Sequence, residues 1–306
     1  MIYERIEELP ELLPFKDDYI FKTMLTREGA EIVRNSILSA FTGLEIVKST
    51  VVENEPPIDF SPLEKQIRLD VHCVTDQNKE INIEMQANAM DGDSGLNQHE
   101  NLRCRSIYYV GKLFAGQNAE RYSEMNQTFQ IMVCGFPVFD DENLIHKFCY
   151  TDGKHILSDI CTIIYVELPK IQKLIGEDFA GLSRDKQWAL FIENIDKKDF
   201  AQKVLKHTSK EEFRVAVNTL SGISKNREEQ IRYLSRLKFQ KDLIHSRSVA
   251  VEEGVIKGRE QGIEQGKREA VIETAKNALA MGFTIEQVVG ITKLPQSEIE
   301  NLINPQ

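Results

Sequence analysis

Two short stretches of the chain decide its fold: IRLDVHCV at residues 67–74 and INIEMQAN at residues 81–88. Each stretch alternates apolar and polar residues with a period of two, which predicts a strand with one buried face and one polar face. The segment between them, residues 75–79, is short. We therefore expect the two strands to form an antiparallel hairpin.

The polar face of this hairpin carries Asp70 on the first strand and Glu84 and Gln86 on the second. Residues directly opposite each other share a face, so two registers are open. One places Asp70 opposite Glu84, and the other places Asp70 opposite Gln86 and His72 opposite Glu84. Both need a loop of three or five residues, because a two-residue turn would set the polar side of one strand against the apolar side of the other.

In either register the carboxylates of Asp70 and Glu84 come within reach of a single ion. Two carboxylates this close repel each other unless one is protonated or a cation lies between them. Oxygen ligands without cysteine or paired histidine favour Mg²⁺ or Mn²⁺ over zinc, and such an ion can activate a bound water. The alternative is an exposed polar sheet face with incidental acids. We interpret His72 as a hydrogen-bonded neighbour of the acids rather than a catalytic base.

The rest of the chain places this hairpin in an α/β or α+β core, a mixed sheet flanked by helices. Apolar spacing predicts helices over 16–43 and 96–117, and from about residue 183 to the end the pattern is helical. We expect three regions: a core at 1–180, a basic helical region at 181–250, and a glycine-periodic helix with a terminal helical hairpin at 251–306. The predicted strands, including the two of the hairpin, cover 44–54, 66–75, 80–88, 127–137, 145–150 and 160–168.

Composition excludes several classes of protein. The chain has 306 residues, of which 41% are apolar and 28% charged, as in a folded globular protein. No stretch has the length and apolarity of a membrane span, and the acidic N-terminus argues against a signal peptide. The five cysteines are scattered without a CxxC pair, so we expect reduced thiols in the cytoplasm and no structural zinc.

Charge is segregated along the chain. The net charge is −10, but residues 203–247 hold eleven Lys or Arg against five acids, a net of +6 that leaves −16 for the rest. One interpretation is a phosphate-contacting face that includes Lys206, Arg232 and Lys238, and the other is a solvated helical face. A glycine at every fourth position over 254–266 indicates either the close approach of another helix or a flexible charged linker.

Several blocks, in this order and spacing, resemble the PD-(D/E)XK nuclease superfamily, and more narrowly its Rpn-type recombination-promoting nucleases, a group also labelled transposases. Asp70 followed by Glu84-Met85-Gln86 is similar to the bipartite D…(D/E)xK motif. The resemblance covers most of residues 14–170. The remaining blocks are Asp18-Tyr19-Ile20-Phe21-Lys22, Arg105 with Tyr108-Tyr109, Gly116 with Tyr122, and Glu167-Leu168-Pro169-Lys170.

The resemblance implies metal-dependent hydrolysis of phosphodiester bonds in DNA. Asp70 and Glu84 would hold Mg²⁺ or Mn²⁺, helped by the backbone carbonyl of Met85. Gln86 departs from the lysine of the superfamily motif, although glutamine is usual in the Rpn-type group; its amide can orient water but brings no charge.

Residues outside the motif could complete such a site. Lys22 or Lys16 could supply the charge that Gln86 lacks. Asp18 is either a further acid of the site or the N-terminal cap of its helix. Arg105, Tyr108, Tyr109 and Lys112 share one helix face, as a phosphate clamp or as a brace for the sheet.

Three hypotheses follow. The first is a divalent-metal-dependent DNA endonuclease linked to recombination or mobile elements. The second is a catalytically degenerate, DNA-associated or oligomeric scaffold protein; independently of this choice, the C-terminal helices could join copies of the chain into a homo-oligomer. The third is a strand-transfer transposase, which normally needs a third acid on its sheet; the sequence offers no such acid on a convincing strand.

Overall fold

The computed structural model describes residues 11–52, 70–88 and 98–303. Its centre is a six-stranded mixed sheet with the strand order β1-β2-β3-β4-β6-β5. β1, β2 and β3 are antiparallel neighbours, β3, β4 and β6 run parallel, and β5 returns antiparallel to β6. The strands are β1 (Ser49–Val51), β2 (Val71–Thr75), β3 (Glu80–Gln86), β4 (Thr128–Cys134), β5 (Ile145–Thr151) and β6 (Ile156–Glu167).

Helices flank this sheet and fill the C-terminal part of the described chain. Short 3₁₀ turns occur at Tyr122–Glu124, Leu168–Leu174 and Phe179–Gly181. The mixed sheet flanked by helices that the sequence predicts is confirmed. The helices are α1 (Asp18–Thr26), α2 (Glu31–Thr42), α3 (Gln98–Ala115), α4 (Arg184–Asn194), α5 (Lys198–His207), α6 (Glu211–Lys225), α7 (Arg227–Ala280), α8 (Ile285–Thr292) and α9 (Gln296–Ile303).

Two of the predicted elements differ from the structure. The helical stretch expected over 16–43 is divided into α1 and α2, because the chain turns between them at Gly29, whose φ of +83° is left-handed. The strand expected over 44–54 is limited to Ser49–Val51. Residues 53–54 and the 66–69 part of the predicted first hairpin strand lie outside the described residues.

The sheet has two differently covered faces, as the alternation of β3 requires. Ile81, Ile83 and Met85 point into the main core, where α1, α2, α4 and α6 contribute Phe21, Phe41, Trp188 and Phe213 among others. The opposite face is covered by α3, with a smaller cluster around Leu102, Met132 and Tyr165. The polar residues of β3 lie on this second face, beneath α3.

The chain divides into two compact units, residues 1–233 and 234–306. The first unit contains the whole sheet together with α1–α6, whose apolar residues belong to the same core as those of the sheet. The second unit has its own small core, formed by Ala275, Ala278, Val288 and Ile299. The three-region division at residues 180 and 250 stays a prediction.

The glycine-periodic stretch lies within the long helix α7, so the flexible-linker interpretation is wrong. The expected close approach of another helix is also not found: within the described chain, a Cβ added at Gly254, Gly258, Gly262 or Gly266 meets nothing within 4 Å. These four positions are solvent-exposed, so helix packing in the described chain does not explain their small size.

No helix among residues 11–52, 70–88 and 98–303 is long and apolar enough to cross a bilayer. All five cysteines are free thiols, and three of them, Cys73, Cys134 and Cys161, are buried.

Candidate active site

The β2–β3 hairpin adopts the first of the two predicted registers. Val71 pairs with Ile83 and His72 with Asn82, so Asp70, which directly precedes β2, lies in line with Glu84. The hairpin closes through a three-residue loop: Thr75 N–H bonds the Lys79 carbonyl at 3.0 Å, and Asn78 adopts the left-handed φ of +56° that this turn requires. The turn geometry therefore brings the two acids to the same polar face.

Glu84 is a buried carboxylate, and the half-buried carboxylate of Asp70 lies beside it. Burial, and then the neighbouring Asp70 carboxylate, raise the pKa of Glu84 to about 7. Burial also raises the pKa of Asp70, while Lys22, the Met85 backbone N–H and Arg105 act in the opposite direction. Two neighbouring acids whose pKa values are both raised cannot easily ionise at the same time. Such a pair forms a site that favours a cation.

Two basic side chains face these acids from opposite helices. Arg105 of α3 places Nη2 3.8 Å from Glu84 Oε2. Lys22 of α1 acts electrostatically on both carboxylates, most strongly on Asp70. Lys16, the other lysine considered for this role, is bound instead to Glu193 of α4, with 2.9 Å between Nζ and Oε1. The structure therefore brings Lys22, rather than Lys16, to the acids.

Asp18 does not cap its helix. The N-cap of α1 is Asp17, whose side chain accepts hydrogen bonds from Tyr19 N and Ile20 N. Asp18 lies in the first turn of α1, and its carboxylate is one of the charges that raise the pKa of Asp70. The capping alternative is therefore wrong, and Asp18 is a third acid near the pair.

Gln86 lies at the end of β3, where its side-chain Nε2 donates to the Met85 carbonyl at 3.0 Å. The backbone of Gln86 itself faces β4, because its carbonyl accepts from Gly135 N at 2.8 Å. Backbone groups of consecutive strand residues point to opposite sides, so the Met85 carbonyl points toward the β2 edge, where Met85 N–H bonds Asp70. A carbonyl oxygen has two lone pairs, so the Gln86 amide leaves one available.

The aromatic residues of α3 divide between the site and the solvent. Burial, and then the Glu84 carboxylate, raise the pKa of the Tyr109 phenol, and the guanidinium of Arg105 lies 5.9 Å from the Tyr109 ring centre. Tyr108 is more exposed, with Lys112 Nζ 5.9 Å from its ring centre. Tyr109 and Arg105 therefore belong to the acid site, whereas Tyr108 and Lys112 form its rim along α3.

His72 is not placed to act as a base on the acids. Its Nε2 is hydrogen-bonded to Glu80 Oε2, two positions from Asn82 along β3. His72 thus has a carboxylate partner, but that partner is Glu80 and not the expected Asp70 or Glu84.

Two further residues of the site, Asn82 and Gln130, have side-chain amides to which the sequence alone gives no role. Asn82 Nδ2 donates to Glu84 Oε1 at 3.0 Å and to Gln130 Oε1 at 2.9 Å. Both amide residues are fully buried. The available signal was a polar residue inside a fully buried strand. Gln130 lies among the apolar residues of β4, at the position that pairs with Asn82.

The three residues of the basic region 203–247 that were predicted to contact DNA lie on α5 and α7. Lys206 is exposed in the last turn of α5. Arg232 is engaged within the protein, 3.7 Å from Glu229 Oε1 and hydrogen-bonded to Tyr19 of α1. Lys238 is exposed and belongs to the second unit.

Mg²⁺ or Mn²⁺ fits the donor set of Asp70 and Glu84 more readily than Zn²⁺ does, because both ligands are carboxylates. Within residues 11–52, 70–88 and 98–303, no three or more His, Cys, Asp or Glu side chains cluster as a ready-made metal cage. Mg²⁺ does not need such a cage, because it retains several waters and binds through one or two carboxylates. The raised pKa of Glu84 beside the Asp70 carboxylate is the observation that favours a cation here.

Comparison with known protein families agrees with this arrangement. The profile of a family described as "PD-(D/E)XK nuclease family transposase" matches residues 15–250, which include the whole sheet and the acid site. No curated protein and no solved structure matches the chain significantly.

Proposed function

The chain belongs to the PD-(D/E)XK nuclease family of transposases, and from this premise we propose that it is a divalent-metal-dependent endonuclease that hydrolyses phosphodiester bonds in DNA. The observation that carries the proposal is the pair of the buried Glu84 and the half-buried Asp70, set on one sheet face between Lys22 and Arg105. A purely structural sheet face gains nothing from two neighbouring acids that are withdrawn from water and repel each other.

In this proposal Asp70, Glu84 and the Met85 carbonyl hold Mg²⁺ or Mn²⁺. When bound, such an ion supplies a polarised phosphoryl oxygen and a water of lowered pKa. Asp18, whose charge raises the pKa of Asp70, would be a third acid beside the ion. The Gln86 amide, which already contacts the Met85 carbonyl, orients water beside the site.

Lys22 and Arg105 take the part that the superfamily lysine would play at position 86. Both are cations directed at the acid pair, and charge develops on the phosphate as the bond breaks. Tyr109, whose ring centre lies 5.9 Å from the Arg105 guanidinium, helps to hold that cation toward the site. In this proposal, groups from α1, β3 and α3 bind the DNA and stabilise the charge that develops on its phosphate.

The proposal is tested by plasmid nicking with Mg²⁺, Mn²⁺ or EDTA, for the wild type and Asp70→Asn. Asp70→Asn preserves the shape of the side chain and removes its charge, so divalent-ion affinity falls and cleavage drops by orders of magnitude. The fold survives in EDTA and gains stability, because the repulsion with Glu84 is relieved. The matched control Asp159→Asn, an exposed aspartate on β6, should nick DNA as the wild type does.

A second variant, Gln86→Lys, restores the superfamily residue. We expect its activity to be kept or raised. If Asp70→Asn nicks at the wild-type rate and metal stabilises it equally, the acids are not catalytic, and the scaffold hypothesis replaces the nuclease.

The family description also contains the word transposase, so strand transfer is the second candidate. Nicking and strand transfer share the first hydrolytic step and differ in whether a DNA 3′ end is joined to a new strand. A labelled oligonucleotide incubated with plasmid separates them: hydrolysis gives shortened products only, whereas strand transfer gives a covalent joint. We expect shortened products, in keeping with a role in recombination through DNA breaks.

We also propose self-association through the C-terminal helices. The part of α7 in the second unit exposes apolar side chains of a kind that an isolated helix leaves unpaired, including Leu234, Phe239, Ile244 and Val255. Light scattering of the full chain tests this proposal, and a monomer at micromolar concentration would contradict it.

A further inference from the structure

A chain of buried side-chain hydrogen bonds runs across the sheet to Glu84. Asn82 on β3 and Gln130 on β4 are directly paired in the parallel register, and both are fully buried beneath α3. Asn82 Nδ2 donates to both Gln130 Oε1 and Glu84 Oε1. Gln130 is in turn anchored by a contact of 3.1 Å from its Nε2 to the Met132 sulfur.

This arrangement divides the two oxygens of Glu84 between different partners. Oε1 receives the amide of Asn82 at 3.0 Å, whereas Oε2 is turned toward Arg105, 3.8 Å from Nη2. A glutamate side chain on a strand has several rotamers, and a fixed donor at one oxygen selects among them. The contact to Asn82 therefore determines which oxygen is presented to the Arg105 side of the site.

Burying two amides in the middle of a sheet is costly unless their hydrogen bonds are made. Among the described residues, Asn82 Oδ1 has no hydrogen-bond partner, so the pair is not arranged for maximal stability. Apolar residues of similar volume would serve a purely structural role at least as well. The retained amides therefore indicate a role in directing Glu84.

We propose that Asn82, held by Gln130, is a positioning residue for Glu84: it fixes the carboxylate in the orientation in which the second oxygen is turned to the Arg105 side of the site, where a divalent ion would bind it. This inference rests on the proposed function, because it names the residues that prepare that same site. Asn82 does not itself contact the ion or the DNA. It acts through Glu84 alone.

The test uses the full chain and the variant Asn82→Leu, which keeps the approximate volume and removes the donor. Mn²⁺ affinity is measured by calorimetry, and the position of Glu84 is determined from crystal structures of the metal-free wild type and variant. We expect Mn²⁺ binding to weaken by about 10- to 100-fold, the range for loss of a partner that orients a metal ligand. In nicking assays kcat falls while KM for DNA stays, and higher Mn²⁺ concentration restores part of the rate.

A matched control separates this effect from a general loss of a buried amide. Asn194 on α4 is also fully buried, and its amide donates to the Leu190 carbonyl of the same helix. This position is far from β3 in the sequence. Asn194→Leu should lower the melting temperature but leave Mn²⁺ affinity unchanged. Gln130→Met is the second variant: it keeps Asn82 and removes the acceptor that orients it, so a smaller loss of Mn²⁺ affinity is expected.

The outcomes are distinct. If Asn82→Leu folds, and Mn²⁺ affinity and the Glu84 side-chain position match the wild type, the inference is overturned while the nuclease proposal stands. If Asn82→Leu does not fold and Gln130→Met binds Mn²⁺ as the wild type does, the inference is likewise overturned. If the wild type itself neither binds Mn²⁺ nor nicks DNA, the proposed function fails, whereas a displaced Glu84 in the metal-free variant would still support the positioning contact.

Discussion

At the scale of single residues, the central feature is a glutamate that is buried beside another acid. Glu84 lies on β3 with its pKa raised from 4.5 to about 7 by burial and by Asp70. In this pH range the folded protein binds a proton that the unfolded chain has already lost. The metal-free protein therefore loses stability as the pH rises, because the Glu84 proton is released against the field of Asp70.

The free energy of unfolding in EDTA should fall between pH 4.5 and about 7 by roughly 3 kcal/mol from this group, at about 1.4 kcal/mol for each pKa unit. Glu84→Gln removes the effect, so the variant should match the wild type near pH 4.5 and exceed its stability at pH 8. Urea denaturation at the two pH values measures the difference. Glu177→Gln, at an exposed position, should show the wild-type pH dependence; an identical pH dependence in Glu84→Gln would refute the assignment.

The lysines of the N-terminal region give a second prediction at this scale. Lys22 acts on both acids, whereas Lys16 is bound to Glu193. Lys22→Gln should reduce DNA cleavage on the order of 100-fold, since a cation near the developing phosphate charge is removed. Lys16→Gln should leave the nicking rate near that of the wild type, and equal losses in both variants would show that the effect is not local.

At the scale of elements, the site depends on how closely the end of β3 approaches the chain beyond β4. Gly135 directly follows β4, and a Cβ placed there would lie 2.3 Å from the Ala87 carbonyl oxygen. The same glycine donates its N–H to the Gln86 carbonyl. Only a residue without a side chain lets the two backbones meet at this point, next to Met85 and Gln86.

Gly135→Ala should therefore displace the end of β3 and lower both stability and cleavage. Overpacking of this kind costs about 1–3 kcal/mol, and the displaced Met85 carbonyl and Gln86 amide should reduce the nicking rate further. Thermal unfolding and nicking are measured together. Gly222→Ala, in α6 where an added Cβ meets nothing within 4 Å, should be neutral or slightly stabilising with full activity. Wild-type behaviour of Gly135→Ala would mean that this close approach does not hold the site.

The end of β6 is held in place by one buried acid, Glu167, and its partners. Glu167 at the end of β6 is fully buried; it accepts backbone N–H groups from Val138 and Phe139, and its other oxygen lies 3.0 Å from both His146 and Lys170. These contacts tie the loop after β4 to the end of β6. The Glu167-Leu168-Pro169-Lys170 block thus has a structural explanation in the part of the sheet away from β2.

At the scale of the whole molecule, charge is the property that the sequence distributes unevenly. Residues 203–247 carry a net of +6 on a chain of −10, and they span α5, α6 and the start of α7. Arg232 is already paired with Glu229, so its contribution to DNA binding should be the smallest of the three predicted contacts. Lys206 and Lys238 are exposed.

Changing Lys206, Arg232 and Lys238 together to Glu should weaken DNA binding and flatten its salt dependence, because fewer counterions are released. If all three side chains contact phosphates, the slope of log K against log salt falls by about 3. Fluorescence anisotropy over a range of salt concentrations measures this slope. Reversal of three exposed lysines elsewhere, Lys48, Lys154 and Lys267, changes the net charge equally and should have a smaller effect. Equal losses would mean that the basic region is only a solvated face.

The sequence by itself determined the hairpin and its acids. Period-two alternation is local, so the polar parity of Asp70, Glu84 and Gln86 could be recognised without any knowledge of packing. Parity also limited the register to two alternatives, and the structure adopts the one in which Asp70 lies opposite Glu84. The helix ends at Gly43 and Gly282, both left-handed, and the capping box of Thr284 with Gln287 are set by local sequence in the same way.

Only the tertiary structure decided what surrounds the acids. The choice of Lys22 over Lys16, the cap at Asp17 instead of Asp18, and the contact of Arg105 with Glu84 depend on how α1 and α3 pack against the sheet. The pairing of Asn82 with Gln130 depends on the parallel register of β3 and β4, strands joined through α3 and separated by more than forty residues. Local patterns fix which face a side chain occupies, whereas its partners and its pKa are set by burial and by charges that are distant in the sequence.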